Sequence, residues 1–446
     1  MPRLPFRLFV VGFGLVLFAS AYLLPLLAQG PLQPAVGEEA LLGGLGDKLK
    51  GPENSALSDL RHGKRPVIDA SPKTTEENRA VLKKAAQYYA YRLTNPAYHA
   101  EKEKNPEQLT MNDLVNQAFD KLLLVPEIRS KRALKDSQPQ YLKEFGKEMH
   151  TCLKEVLSKN SKPIVRINAT RMVGGLAEAG QEEATDTLAA LIKNPNEADA
   201  VKLYALRGLK EYFEQGAADK ALFQDPNREA ECIKAINQFL ARTRPPSLPA
   251  DAPPEEVGAY QYVRREGLRA LATTRYPIVP KSKGLEGLSA LWLMRALKKG
   301  ELDVEPSLSE QAEAAIGLCQ LQAKLGKEYN VDFAAYEIGL FLLDYIKAYN
   351  DQRVAKTTTL PWRLTTARIN AGLEQLAAQG KEATAVKGAP EYVAKLVSEA
   401  QKALRPLEVD KDANPNDLDE FLRANKPPSK ELLRGVKEAT LKTAAQ

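Results

Sequence analysis

The side chains able to do chemistry are few and scattered. Three histidines occur, His62, His99 and His150, and none stands in an H-E-x-x-H or other metal-ligand spacing. His150 and Cys152 are two apart, so on one helix they point to different sides. Cys152, Cys232 and Cys319 are an odd set separated by 80 and 87 residues, which is no disulfide framework, and no C-x-x-C occurs. Each lies in an apolar, helix-like context and reads as a buried small hydrophobe; an oxidising compartment would still allow one pairing. No G-x-S-x-G elbow is present, and neither Gly12-Phe13-Gly14 nor Gly44-Leu45-Gly46 follows a strand, so neither reads as a phosphate cradle.

Two constellations invite more. Glu337 and Asp344 are seven apart on an apolar helix, share a face, and as a carboxylate pair in a cleft could do acid–base work. Lys347 and Asp351 continue the stripe, which makes it the solvated side of that helix. Asp410 to Glu420 places oxygens at positions 1, 3, 5 and 7 of a calcium-type loop. Pro415 takes the place of the required glycine and Phe421 that of the bidentate glutamate, so the segment reads as an acidic turn before a helix. Asn168-Ala169-Thr170 fits a glycosylation acceptor but falls inside an expected helix. No catalytic, cofactor-binding or metal-ligating residue is assigned, and no cofactor is expected.

The elements that would position any site are helical. The chain has 446 residues, 44% of them apolar and 27% charged, which excludes a disordered chain, a collagen-like fibre and a polytopic membrane protein. The net charge of +6 lacks the concentrated basic stripe of a nucleic-acid binder. Arg3 and Arg7 precede an uncharged apolar run from Leu8 to Ala28, long enough to span a bilayer. Ala19-Ser20-Ala21 also offers a signal-peptidase site. The length of the run favours a transmembrane anchor over a cleaved signal peptide, and both place the body outside the cytoplasmic membrane. Residues 29–75, dense in Gly and Pro, read as a flexible linker, 76–160 as N-terminal helices, 161–405 as helical repeats with a Pro-rich loop at 243–258, and 406–446 as a polar C-terminal tail.

A form V-[RK]-x-x-A recurs within residues 162–217. Val165-Arg166-Ile167-Asn168-Ala169 and Val201-Lys202-Leu203-Tyr204-Ala205 superpose with a shift of 36 residues. In each, the small residue lets helices approach, apolar residues after it seal the face, and the basic residue is expected near a surface turn. Variants follow at Val263-Arg264-Arg265-Glu266-Gly267 and Glu310-Gln311-Ala312, and Arg368-Ile369-Asn370-Ala371 repeats the tetrapeptide at 166–169. The intervals between them, 62, 45 and 59 residues, are irregular. The helix Val331–Tyr349 is apolar almost all round and belongs in the middle of the body.

Residues 162–217 resemble HEAT-type helical repeats, whose second helix often opens with Asp and then V-R-x-x-A; Asp199-Ala200-Val201-Lys202 matches that opening. The resemblance implies an all-α, HEAT-like α-solenoid of stacked helix pairs with irregular repeats and a surface for a partner. The expected function is therefore a non-enzymatic scaffold, tethered to the membrane by its N-terminus, with a periplasmic body that engages a protein partner and no nucleic acid. The alternative is an enzyme of α/α-toroid type acting on cell-envelope polysaccharide, with acids scattered over helix ends; only two Trp in the chain count slightly against sugar binding.

Overall fold

The computed structural model describes residues 51–435 apart from 100–108, 131, 136, 219–224, 243, 245–247, 283, 358–359 and 383–385. Among the described residues the protein is all-α, without a β-strand; the one extended pairing is a single bridge between Tyr329 and Leu433. The apolar leader Leu8–Ala28 lies outside the described residues, and no helix among those described is long and apolar enough to cross a membrane.

The helices are α1 (Gly51–Arg61), α2 (Pro72–Arg92), α3 (Met111–Gln117), α4 (Val125–Arg129), α5 (Gln138–Lys159), α6 (Pro163–Glu178), α7 (Glu182–Lys193), α8 (Asp199–Ala218), α9 (Pro226–Leu240), α10 (Pro254–Thr273), α11 (Ser289–Leu297), α12 (Leu308–Gln320), α13 (Val331–Val354), α14 (Trp362–Glu382), α15 (Ala389–Glu408) and α16 (Asn416–Ala424). Their ends follow local chemistry. Proline opens α6, where a missing N–H costs nothing, and Gly180 at φ +89° turns the chain after it. Ser307 and Glu310 form a capping box at the start of α12, as Thr110 and Asp113 do at α3.

From α6 onward the chain alternates between two rows. One row runs α6, α8, α10, α12, α14, each packed along its predecessor; α7, α9, α11 and α13 lie against it on the other side. α5 and α2 extend the packing at one end, α15 and α16 at the other. One continuous hydrophobic core runs between the rows. Small residues set the spacing within the first row. A Cβ on Gly208 would stand 2.8 Å from Gly174 Cα, and one on Gly372 would stand 3.1 Å from Cys319 Cβ. Val165, Val201 and Val263 and the small residues Ala169, Ala205 and Gly267 are all buried at matching positions, as the recurring form requires.

The basic residue of that form behaves differently from the expectation. It does not sit at a surface turn. Arg264 is 1% exposed, and its Nε donates to Glu310 Oε1 at 2.6 Å while Nη1 donates to Val304 O at 2.9 Å. Arg166 pairs with Glu197 at 2.5 Å and donates to the carbonyls of Leu157 and Asn160. Lys202, 5% exposed, donates to Pro195 O at 3.3 Å. Each long cation reaches inward to the loop that bounds its own or the next row helix, where carbonyl oxygens have no helical partner.

Three further expectations need correction. Residues 51–75 are not a flexible linker: Gly51–Arg61 is helical, and Leu57, Leu60 and Val67 are buried against α2 and α5. The glycines and prolines there punctuate the turns around α1. Nor is 406–435 a loose polar tail. Pro406 lies inside α15, Leu418, Phe421 and Leu422 of α16 are buried, and a strap follows in which Ser429 N and Oγ donate to buried Asp332 at 2.6 and 2.8 Å. Finally, the repeated tetrapeptide at 368–371 is out of register: Ala371 is exposed where Ala169 is buried, and Gly372 takes the close contact.

Two substitutions test this packing. Arg264→Ala leaves Glu310 charged and buried and is expected to cost about 3–5 kcal/mol, measured by urea denaturation. The paired replacement Arg264→Met with Glu310→Leu is expected to recover most of that loss. Gly208→Ala drives a methyl into the α6 backbone and is expected to cost about 1–3 kcal/mol, read as a lowered melting temperature.

Candidate functional site

The exposed side of the first row carries a register that the small residues impose. On three helices of the row the residue two places after the buried small residue is arginine: Arg171 after Ala169, Arg207 after Ala205, Arg269 after Gly267. All three are half-buried. Tyrosines alternate with the guanidiniums. Arg171 and Arg207 each stand 5.5 Å from the Tyr204 ring, Arg207 stands 5.8 Å and Arg265 4.5 Å from the Tyr262 ring. Such stacks hold planar cations in place while leaving donors directed outward.

Two carboxylates lie beneath this layer. Glu266 accepts from Arg269 Nη1 at 2.8 Å and from Arg207 Nε at 3.4 Å. Glu313 accepts from Arg269 Nε at 2.8 Å and, with both oxygens, from Arg368 at 2.7 and 2.6 Å. Burial opposes ionisation of Glu313, but the Arg368 and Arg269 guanidiniums outweigh it and hold its carboxyl below the ordinary range. An unbroken chain of ion pairs thus runs Arg207–Glu266–Arg269–Glu313–Arg368 across α8, α10, α12 and α14. Toward the C-terminal ends of α6 and α8, Glu178 pairs with Arg129 and Glu214 with Lys210.

Between α10, α12 and α14 the ladder opens into a hollow of about 130 Å³ lined by Arg265, Arg269, Ser309, Glu313, Leu364 and Arg368, among others. Arg265 is the least committed cation in it. Its Nη1 donates to Ser309 Oγ at 3.2 Å, its nearest carboxylate is Glu266 at 3.7 Å, and its Nε has no hydrogen-bond partner. Leu364, 62% exposed, stands at the edge.

The residues weighed from sequence are placed elsewhere. Glu337 pairs with Lys298 at 2.9 Å and Asp344 with Lys299 at 2.7 Å, so each is engaged by a lysine that follows α11. Asp410 and Asp412 both turn to Arg353, and Tyr349 Oη donates to Asp410 at 3.2 Å. Among the described residues no group of three His, Cys, Asp or Glu side chains could hold a metal ion. Cys152, Cys232 and Cys319 are buried and unbonded to one another, and burial pushes the Cys152 thiol up to about 11 and the Cys232 thiol up to about 12. His150 Nε2 lies 2.9 Å from Thr187 Oγ1, and burial lowers its pKa. Asn168 is buried, its Nδ2 donating to Ile164 O at 2.8 Å, so the glycosylation triplet is closed to an enzyme in the folded chain. A pair of carboxylates facing one open mouth, which glycoside hydrolysis ordinarily needs, is not formed by Glu266 and Glu313, since both are neutralised by arginine.

Compared with known proteins, the chain matches no protein-family model, no curated protein and no solved structure. The ladder therefore has to be interpreted from its own geometry.

Two glutamates give opposite pH responses. Glu313 has a depressed folded pKa, so its stabilisation is present above the ordinary value of 4.5 and is lost as pH falls through its folded pKa. Glu313→Gln is expected to destabilise the protein at pH 7 and to matter progressively less as pH falls below 4.5. Glu229 on α9 is raised to about 7, chiefly by burial, with Arg275 and Tyr276 opposing the rise. Its folded state holds the proton more tightly than the unfolded chain, so stability declines as pH climbs from 4.5 to about 7. Glu229→Gln is expected to flatten that decline, seen in melting temperatures across the range.

Proposed function

We propose that the protein is a HEAT-like α-solenoid whose business is binding another protein, with the first-row face as the binding surface. The reading carries no catalysis. It includes the tether: Leu8–Ala28 as a membrane anchor, and a body displayed on the extracytoplasmic side. One observation supports the binding face above the others. Arginines on α8, α10 and α14, tyrosines on α8 and α10 and buried glutamates on α10 and α12 form one line along the row, spreading polar recognition over four helices instead of converging on one reacting point. A surface of that form suits an extended partner. Tyr and Arg are also the residue types that most often dominate binding energy at interfaces.

The test is site-specific photocrosslinking in the native envelope fraction, with the full chain carrying a photoreactive phenylalanine analogue in place of Tyr262 or, on α13 of the other row, Leu340. Both positions are exposed, at 39% and 38%. A stoichiometric protein adduct from position 262 and none from 340 is expected. Adducts only from 340, or none from either with the protein folded, sink the reading. Recovery of Met1 on the mature chain checks the anchor.

A further inference from the structure

We propose that the hollow between α10, α12 and α14 recognises an acidic side chain on an extended segment of the partner, with Arg265 and Arg368 as the anion-binding residues and Leu364 as an apolar contact beside them. The inference rests on the proposed function and gives the partner its chemistry. Charge balance is the first ground. The ladder holds Arg207, Arg265, Arg269 and Arg368 over just Glu266 and Glu313, and those two carboxylates are each 4% exposed, so the side chains of this line that reach solvent are cationic. The second ground is unequal satisfaction. Glu313 engages both Arg269 and Arg368, whereas Arg265 has a hydroxyl, a ring and a carboxylate only at 3.7 Å, and its buried Nε lacks any partner. A carboxylate entering the hollow can accept a charge-assisted bond from the Arg265 Nη groups, whose present partners are one hydroxyl and a carboxylate at 3.7 Å. Size is the third. About 130 Å³ takes one side chain and falls short of the 300 Å³ or so at which small-molecule sites begin. Ser309 supplies a neutral hydroxyl to the lining, and Leu364, 62% exposed at the edge, offers an apolar surface beside it.

A nucleic acid is less well served. Its phosphates would meet the same cations, but stacking of bases needs open ring faces, and both Tyr204 and Tyr262 have guanidiniums over them.

The experiment uses the full chain in a neutral detergent and fluorescence anisotropy with three labelled probes: a short oligoglutamate peptide with one central leucine, the same peptide with lysine for glutamate, and an oligothymidylate of equal charge. The acidic peptide is expected to bind, to weaken as salt screens the face, and to bind about tenfold more weakly to Arg265→Gln and to Arg368→Gln. Lys347→Gln, on exposed α13 of the other row, is the charge-matched control expected to leave binding unchanged. Arg368 also supports Glu313, so if Arg368→Gln unfolds, Arg265→Gln and Arg265→Lys decide. Lysine keeps the charge but loses the fork and is expected to fall between wild type and glutamine. Equal binding by wild type and Arg265→Gln overturns the proposal, and so does tighter binding of the oligothymidylate than of the acidic peptide. No peptide binding, with a partner still crosslinked through position 262, removes the acidic chemistry and leaves the proposed function standing. Peptide binding lost in Arg265→Gln, with no crosslinked partner, does the reverse.

Discussion

A guanidinium taken fully out of water is the constraint around which the stack is arranged. Arg264 is 1% exposed, and so is its partner Glu310. Neither would be tolerated there alone, since an uncompensated buried charge costs several kcal/mol. The solution fixes geometry. Glu310 must sit at the first turn of α12 to cap it through Ser307, and it must also meet Arg264 of α10. Val304 and Glu305, in the chain entering α12, give Arg264 their carbonyls. One side chain therefore sets where α12 begins and how it lies against α10. Arg166 does the same work two steps earlier, joining α6 to the loop before α8 through Glu197, whose own carboxylate accepts from Ala198 N at 3.2 Å.

This pinning of helix starts accounts for the exposed face. With the N-terminal turns held in register and small residues bringing the axes close, side chains at equal offsets fall into line. The arginine two residues beyond the small residue on α6, α8 and α10 then shares a partner with the next, Tyr204 for Arg171 and Arg207 and Glu266 for Arg207 and Arg269. Its neighbours in the line are aromatic rings and buried acids from the adjacent helix, as with Tyr262 and Glu266 beside Arg207. Burial of one basic residue per helix and display of another are two consequences of one helical phase, five residues apart.

How far sequence reached follows from which forces are local. Helix content was legible, because proline and apolar periodicity act within a few residues. The recurring V-[RK]-x-x-A was legible as packing, and its valine and small residue lie where expected. The inward turn of Arg166 and Arg264 was not, because each is buried against a carboxylate from a distant segment, Glu197 and Glu310 being 31 and 46 residues away; Lys202 turns in to Pro195 O and Asp199 at the start of its own helix. The linker around α1 failed for a related reason: Leu57 and Leu60 have little local pattern and are ordered by α2 and α5. The ladder could have been found. Ala169-Thr170-Arg171, Ala205-Leu206-Arg207 and Gly267-Leu268-Arg269 share an offset, but attention to reactive residues passed over three ordinary arginines.

The buried glutamates make the ladder more than a row of surface charges. A solvent-exposed arginine loses rotamer freedom when it grips a ligand, and the loss offsets much of the gain. Here Glu313 already holds Arg368 through two bonds and Arg269 through a third, and the tyrosine rings limit the tilt of Arg207 and Arg265. The ordering is done by folding, before any partner arrives. Lysine at these positions would supply charge without the planar fork that lets one guanidinium bond a glutamate below and still direct donors outward. That double use accounts for arginine at 207 and 269, with acid beneath a face whose excess is basic.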